Sequence, residues 1–287
     1  SGALPQTASV RVEEFVNYFR YDYDTQGASS ERPFTVSTEL VASPFSNDKH
    51  LLRVGIASQA KSKAERKPAN LVFLVDVSGS MQPSDKLELA NLNDGDTVSL
   101  VTYAGSTRVV LEPRGLDHRA EIESAIEELT AGGSTAMASG IDLAYQMAMR
   151  GLGSGKESRV IVLSDGDANV GANGPEAILA TIAGKVKEGI TLTTVGLGMG
   201  NYRDNMMEQL ANKGNGQNVY IDGWSAAQRF FQEQLGSTLE VVAKDVKLQL
   251  DFNPERVARY RLIGYENRDI ADVDFRNDQR DAGEIGA

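Results

Sequence analysis

The sequence predicts an α/β fold: a doubly wound, mostly parallel sheet covered by helices, flanked by a β-rich module formed from the N- and C-terminal segments. Three observations carry that expectation. Short apolar segments rich in Val, Ile and Leu recur at 71–75, 97–101, 160–164, 191–196 and 219–221. Helical patterns lie between them at 118–129, 139–149, 175–187 and 204–212. Strands that read as continuous apolar runs belong to sheets buried on both faces, and their alternation with helices makes such a sheet parallel. The third observation is that strict apolar/polar alternation, the mark of half-buried antiparallel strands, appears only on either side of this region.

In chain order, VRVEEFVNYF at 10–19 sets Val12, Phe15, Val16 and Phe19 at helical spacing. The Tyr/Phe cluster from Phe15 to Tyr23 reads as core or packing, with no function assigned to it. A polar stretch at 28–32 precedes two alternating segments, 34–41 (FTVSTELV) and 51–56 (LLRVGI), expected to be antiparallel strands. Residues 58–70 are lysine-rich and include Pro68, which marks a boundary. Domains are therefore expected at 1–66 (a helix plus antiparallel strands), 67–241 (the α/β domain) and 242–287 (the start of a β-rich domain). A last helix is expected over 225–239. Alternation returns from 241 to 263, and the two alternating regions are expected to pair into one β-sandwich with the α/β domain inserted.

Composition narrows the function. At 287 residues, 41% hydrophobic and 24% charged, the chain has globular composition. A net charge of -11 repels phosphate backbones, which argues against nucleic acid as partner and suits a cation site. With no cysteine, disulfides, thiolate metal sites and cysteine nucleophiles are excluded. Only His50 and His118 are available for imidazole chemistry. No apolar run is long enough to span a bilayer. The chain starts at Ser1, without methionine or a signal-like segment, so it reads as processed or as an excised piece, with any export signal lost from view.

The chemistry gathers at strand ends. VFLVDVSGSM at 72–81 runs from an apolar strand straight into Asp76, Ser78 and Ser80. In open α/β sheets ligands sit at the carboxyl ends of strands. A second polar group, VLSDGD at 162–167, follows another buried strand, and GGST at 132–135 supplies a third loop. Hydroxyls and carboxylates are hard oxygen ligands, suited to Mg²⁺, Mn²⁺ or Ca²⁺. Helix capping would require one such residue, and does not account for Asp76, Thr135 and Asp165 on three separate loops.

DVSGSM resembles the Asp-x-Ser-x-Ser motif of von Willebrand factor type A (VWA) domains, the first part of their metal-ion-dependent adhesion site (MIDAS). Thr135 matches that family's threonine loop and Asp165 its second aspartate. The resemblance implies a Rossmann-like domain in which Ser78, Ser80 and Thr135 offer hydroxyl oxygens to one divalent cation, most readily Mg²⁺. Asp76 and Asp165 then act through water or hydrogen bonds. Beyond the motif, Asp167 and Asn169 read either as groups around that set or as plain turn residues, with Gly79 and Ser134 as further candidates beside it. Mg²⁺ takes near-octahedral oxygen at ~2.0–2.1 Å and gives up water reluctantly. With neutral inner ligands it stays electrophilic, and a partner's Asp or Glu carboxylate completes its shell.

RVEEFVNYFRYDY, ERPFTVSTELVASPF, AKDVKLQLDFNPERVARYRLIGYENR and DAGEIGA resemble a bacterial family of VWA proteins with a C-terminal domain of unknown function. That resemblance implies a cell-envelope location after export, often as a lipoprotein anchored through an N-terminal lipidated segment. Two departures stand out. DKLELA passes directly into NLNDGDTV, leaving the helix after the motif ~9 residues short of the family's length. The chain also ends at Ala287 where the family continues into further strands, so the C-terminal domain is expected to be incomplete.

Other motifs carry less. GSGKES at 153–158 precedes a strand and has Glu157 between Lys156 and Ser158, so it reads as a surface turn, not a phosphate loop. GLGMG at 196–200 reads as a strand-to-helix loop. Ser78 lacks the preceding glycine of a nucleophile elbow. Asp117 reads as a helix N-cap beside His118, and both histidines read as surface residues. An aspartyl-phosphatase reading of Asp76 needs a second aspartate where Ser78 stands.

The expectation is therefore a metal-dependent protein-binding module with no catalytic residues. The alternatives are a metal-dependent hydrolase with Asp167 as base, and a protein whose cation only stabilises its loops.

Overall fold

A computed structural model of the chain describes residues 10–19, 21–29, 31–58, 65–78, 92–104, 106–130, 137–164, 174–197, 204–231, 235, 239, 241–265, 270–277 and 283–286. The chain divides into two compact units, one of residues 61–240 and one of residues 1–60 with 241–287.

The larger unit is built on a six-stranded sheet. Its strands are β3 (Ala69–Asp76), β4 (Thr97–Tyr103), β5 (Arg108–Gly115), β6 (Glu157–Ser164), β7 (Ile190–Leu197) and β8 (Asn218–Ile221), in the spatial order β5-β4-β3-β6-β7-β8. All neighbours are parallel except β4 and β5. Every residue of β3 is buried, as a central strand covered on both faces must be. Alternate residues feed two cores. Leu71, Phe73 and Val75 join Ile161, Leu163, Ile122 and Phe230 on one face. Val72 and Leu74 join Val160, Val162, Ile141, Tyr145 and Leu210 on the other.

The helices of this unit are α2 (Arg119–Glu127), α3 (Met137–Gly151), α4 (Gly174–Val186), α5 (Asp204–Lys213) and α6 (Trp224–Arg229). The amphipathic α3 buries Met137, Gly140, Ile141, Ala144, Tyr145, Met147 and Ala148 against the sheet. Its close approach has a steric cause: a Cβ at Gly140 would lie 3.0 Å from Tyr103 Cβ and 3.1 Å from Leu74 Cδ1. The amino edge of the sheet is pinned by buried polar groups. Asp96 accepts from the Ala69 and Asn93 backbone N–H groups, each at 2.7 Å, and from both terminal nitrogens of Arg66. Asn70 donates to Ala148 O and Ser158 Oγ and accepts from Thr97 Oγ1, all at 2.9 Å.

The smaller unit holds α1 (Val12–Tyr18), the antiparallel pair β1 (Phe34–Ala42) and β2 (His50–Ser58), and the antiparallel pair β9 (Val241–Val246) and β10 (Gly283–Gly286). Within it, Tyr265 N–H donates to Glu13 Oε2 at 3.1 Å, which joins a residue of α1 to the C-terminal segment. Gly264, at φ +78, packs against Glu13, whose backbone N would lie 3.0 Å from an added Cβ.

Four expectations need correction. The terminal strands do not form one sandwich: β1–β2 and β9–β10 are separate two-stranded sheets. Residues 247–263 carry no strand, because their alternation finds no neighbouring ladder and a strand is stable only when paired. A turn at Asn253, whose carbonyl accepts from Arg256 and Val257 N–H, instead brings Phe252 and Tyr260 into a 4.4 Å ring stack. The Phe15–Tyr23 cluster is not core: Phe15, Tyr18 and Phe19 are exposed. Asp117 does not cap a helix; it lies inside a 3₁₀ turn at Leu116–His118, and His118 occupies the N-cap of α2 without a side-chain cap bond.

Candidate metal centre

Strand order fixes where a ligand site belongs. The chain runs outward from β3 through β4 to β5, then returns to β6 on the other side of β3. The crevice at the carboxyl ends of β3 and β6 is the point where strand order reverses. Asp76 is the last residue of β3 and Ser164 the last of β6, one step beyond the Val75–Leu163 pairing. Strand alternation places both on the face of Leu74 and Val162, which α3 covers.

Asp76 is buried, with 1% of its surface exposed, and both its oxygens are bonded. Oδ1 accepts the Ser78 backbone N–H at 2.9 Å, a local turn of the kind that Asp makes two residues on. Oδ2 accepts the Ser164 hydroxyl at 3.1 Å. Val77 N–H donates to Tyr103 O at 3.2 Å, so the backbone remains tied to β4 just where the motif begins. A carboxylate held this way keeps a defined orientation at the mouth of the crevice.

Of the five residues expected around an ion, the structure describes Asp76 and Ser78 and brings them together. Ser80, Thr135 and Asp165 lie outside the described residues, as do Gly79, Ser134, Asp167 and Asn169 and the rest of the segment that follows the motif. Their nearest described neighbours converge on the same edge. Asp165 follows Ser164 directly. Thr135 stands two positions before Met137, the buried start of α3. Among the described residues no three His, Asp or Glu side chains cluster as a metal site. The donors at this edge, a carboxylate and serine hydroxyls, are oxygen only and fit a hard cation.

Ser164 is the residue that sequence reasoning passed over. The signal was a hydroxyl closing an otherwise apolar strand, VIVLS, beside the motif's own aspartate. His118 is exposed at the opposite edge, 3.4 Å from Asp117 and 3.5 Å from Glu121, and has no role near Asp76. His50 opens β2 in the smaller unit and is exposed. The GSGKES segment turns at Ser154 and Gly155, with Gly155 at φ +79, and its last two residues open β6.

The family model described as von Willebrand factor type A domain matches residues 70–234, more than half of the chain. A second, von Willebrand factor, matches residues 1–53, and one described as "Uncharacterized protein YfbK, C-terminal" matches 237–287. "Uncharacterized protein YfbK" of Escherichia coli is 42% identical, covering 100% of this chain and 52% of its own. "Uncharacterized protein sll0103" of Synechocystis is 29% identical over 79% of this chain and 55% of its own. The chain thus spans about half the length of these two relatives. A solved von Willebrand factor type A structure from Catenulispora acidiphila superposes with a TM-score of 0.52 at 20% identity, covering 68% of this chain and 46% of that one, a likeness of fold. The match at 70–234 runs from the first to the last strand of the six-stranded sheet, and the chain belongs to the von Willebrand factor type A domain family, continued by a C-terminal segment of the YfbK type.

Proposed function

We propose that this VWA domain is a divalent-cation-dependent protein-binding module. In this reading Ser78, Ser80 and Thr135 ligate the ion, and Asp76 and Asp165 hold it through water or hydrogen bonds. Asp167, Gly79 and Ser134 lie around that set. The open position takes an Asp or Glu carboxylate from a protein partner. The observation that carries the reading is Asp76: a buried carboxylate, gripped on both oxygens, at the switch point of the sheet. VWA domains are protein-interaction modules, which supports the general class. Mg²⁺ is the favoured ion, with Mn²⁺ and Ca²⁺ as substitutes of the same hardness.

No catalytic residue is proposed, since binding a carboxylate needs only an electrophilic ion with a replaceable water. The cell envelope is the proposed location, resting on the resemblance to exported VWA proteins. No helix among the described residues is long and apolar enough to cross a membrane. Anchoring through a lipidated segment belongs to the same proposal.

Capture of a partner from envelope extract, with Mg²⁺ against EDTA, tests the reading. Capture is expected only with Mg²⁺ and is expected to vanish in Asp76→Ala. Partner capture that survives both EDTA and the substitution sinks it. A cation that raises the melting temperature while leaving capture unchanged assigns the ion to loop stability alone.

A further inference from the structure

We infer that Ser164 is a positioning residue for the cation, acting through Asp76. This rests on the metal reading above and adds a residue outside the five motif positions. Ser164 is fully buried at the end of β6, and its hydroxyl hydrogen is donated across the sheet to Asp76 Oδ2 at 3.1 Å. The other carboxylate oxygen is held from within its own turn by Ser78 N–H at 2.9 Å. The two grips have different origins: one is local to the motif, and the other comes from the neighbouring strand. A carboxylate held by only the local bond can still rotate about its Cβ–Cγ bond. The second bond stops that rotation and fixes the plane of the group.

The location adds a second consequence. Ser164 immediately precedes Asp165, and β6 pairs with β3 up to Val75–Leu163. The Ser164–Asp76 bond therefore ties the two strands that lead to the motif's aspartates one step beyond their last backbone pairing. It sets the separation of those strand ends before any ion arrives. Groups that orient a metal's carboxylates from outside the ligand set change affinity by about 10–100-fold when removed.

The test compares Ser164→Thr with Ser164→Val in the full chain, titrating Mn²⁺ calorimetrically and recording the metal-free melting temperature. Thr and Val have nearly the same shape and both suit a strand, so any cost of the extra methyl cancels. Only Thr keeps the hydroxyl. Thr is expected to bind Mn²⁺ close to wild type, and Val about 10–100-fold more weakly; metal-free, Val is expected to melt below Thr, because a buried Asp76 oxygen has lost its donor. Equal Mn²⁺ affinity in the two variants, with Asp76→Ala abolishing binding, overturns the role of Ser164 and leaves the metal reading standing. A wild-type chain that takes up no Mn²⁺, Mg²⁺ or Ca²⁺ overturns both. A Val variant whose Mn²⁺ affinity matches that of Thr once both are measured well below their melting temperatures assigns the hydroxyl to folding and overturns the positioning role.

Discussion

Tyr145 lies in the middle of α3 with its ring buried in the core, and its hydroxyl has no hydrogen-bond partner among the described residues. An unsatisfied buried hydroxyl costs about 1–3 kcal/mol. Tyr145→Phe removes it while keeping the ring, so its unfolding free energy is expected to equal or exceed wild type by about 1 kcal/mol in denaturant titration. Burial also pushes the Tyr145 phenol well above its ordinary range. The unfolded chain releases this proton near pH 10 while the native chain keeps it, so the contribution to stability is complete below that pH. It declines as pH rises toward the folded value, at up to about 1.4 kcal/mol per pH unit. Between pH 10 and 11 the stability of wild type is therefore expected to fall more steeply than that of Tyr145→Phe; parallel curves contradict this. At this scale sequence reasoning found Asp76 and Ser78, because carboxylates and hydroxyls at the end of an apolar strand are conspicuous. It passed over Ser164 because one serine closing a strand looks like ordinary punctuation until the neighbouring strand is known.

Among the elements, the ends of strands are where single changes matter most. Arg66 and Asp96 form a buried ion pair, with side chains 4% and 0% exposed, and Asp96 also holds two backbone N–H groups. Asp96→Ala removes the carboxylate from a buried guanidinium and from two backbone donors, and a loss of about 3–5 kcal/mol is expected in chemical unfolding. The Lys67–Glu157 pair nearby is 3.0 Å long, but its lysine is half exposed, and Lys67→Ala is expected to cost under about 1 kcal/mol. At the end of α3, Gly151 lies under the Asn70 amide; an added Cβ would come within 2.1 Å of Oδ1. Gly151→Ala is expected to displace that amide from Ala148, Ser158 and Thr97, lowering stability by about 1–3 kcal/mol in the same measurement. A Gly151→Ala variant as stable as wild type would show that Asn70 tolerates displacement. The parallel strands were legible because their apolar runs, though short, are unbroken, and the helices α2 to α5 because a 3.6-residue pattern persists over several turns. The strand β5 was not anticipated. Its sequence, RVVLEPRG, is short of buried residues, and Pro113 reads as a breaker. A proline is tolerated there because the strand lies at the rim of the sheet and its pairing is irregular between Leu111 and Arg114.

For the molecule as a whole, the two units differ in what holds them. The buried hydrophobic residues described lie between Ala69 and Leu239, all in the larger unit. The smaller unit exposes Phe15, Tyr18, Phe19, Leu40, Phe45 and Leu262. Apolar burial is the main favourable term in folding, so the larger unit is expected to fold alone as residues 61–240, with one cooperative thermal transition. Hydrogen exchange on the full chain is expected to be slowest at β3 and β6 and faster by orders of magnitude at β1 and β2. Comparable protection in the β1–β2 pair contradicts this account. The β-sandwich expectation failed at this scale. Alternation tells which faces of a strand differ, but not which strand it pairs with, and pairing over more than two hundred residues leaves no local trace.

The rims of the sheet have one more consequence. One is β5, interrupted by Pro113; the other is β8, four residues long. Neither presents an unbroken row of free backbone groups on which an incoming chain might template itself. Recognition by extending this sheet sideways is thereby discouraged.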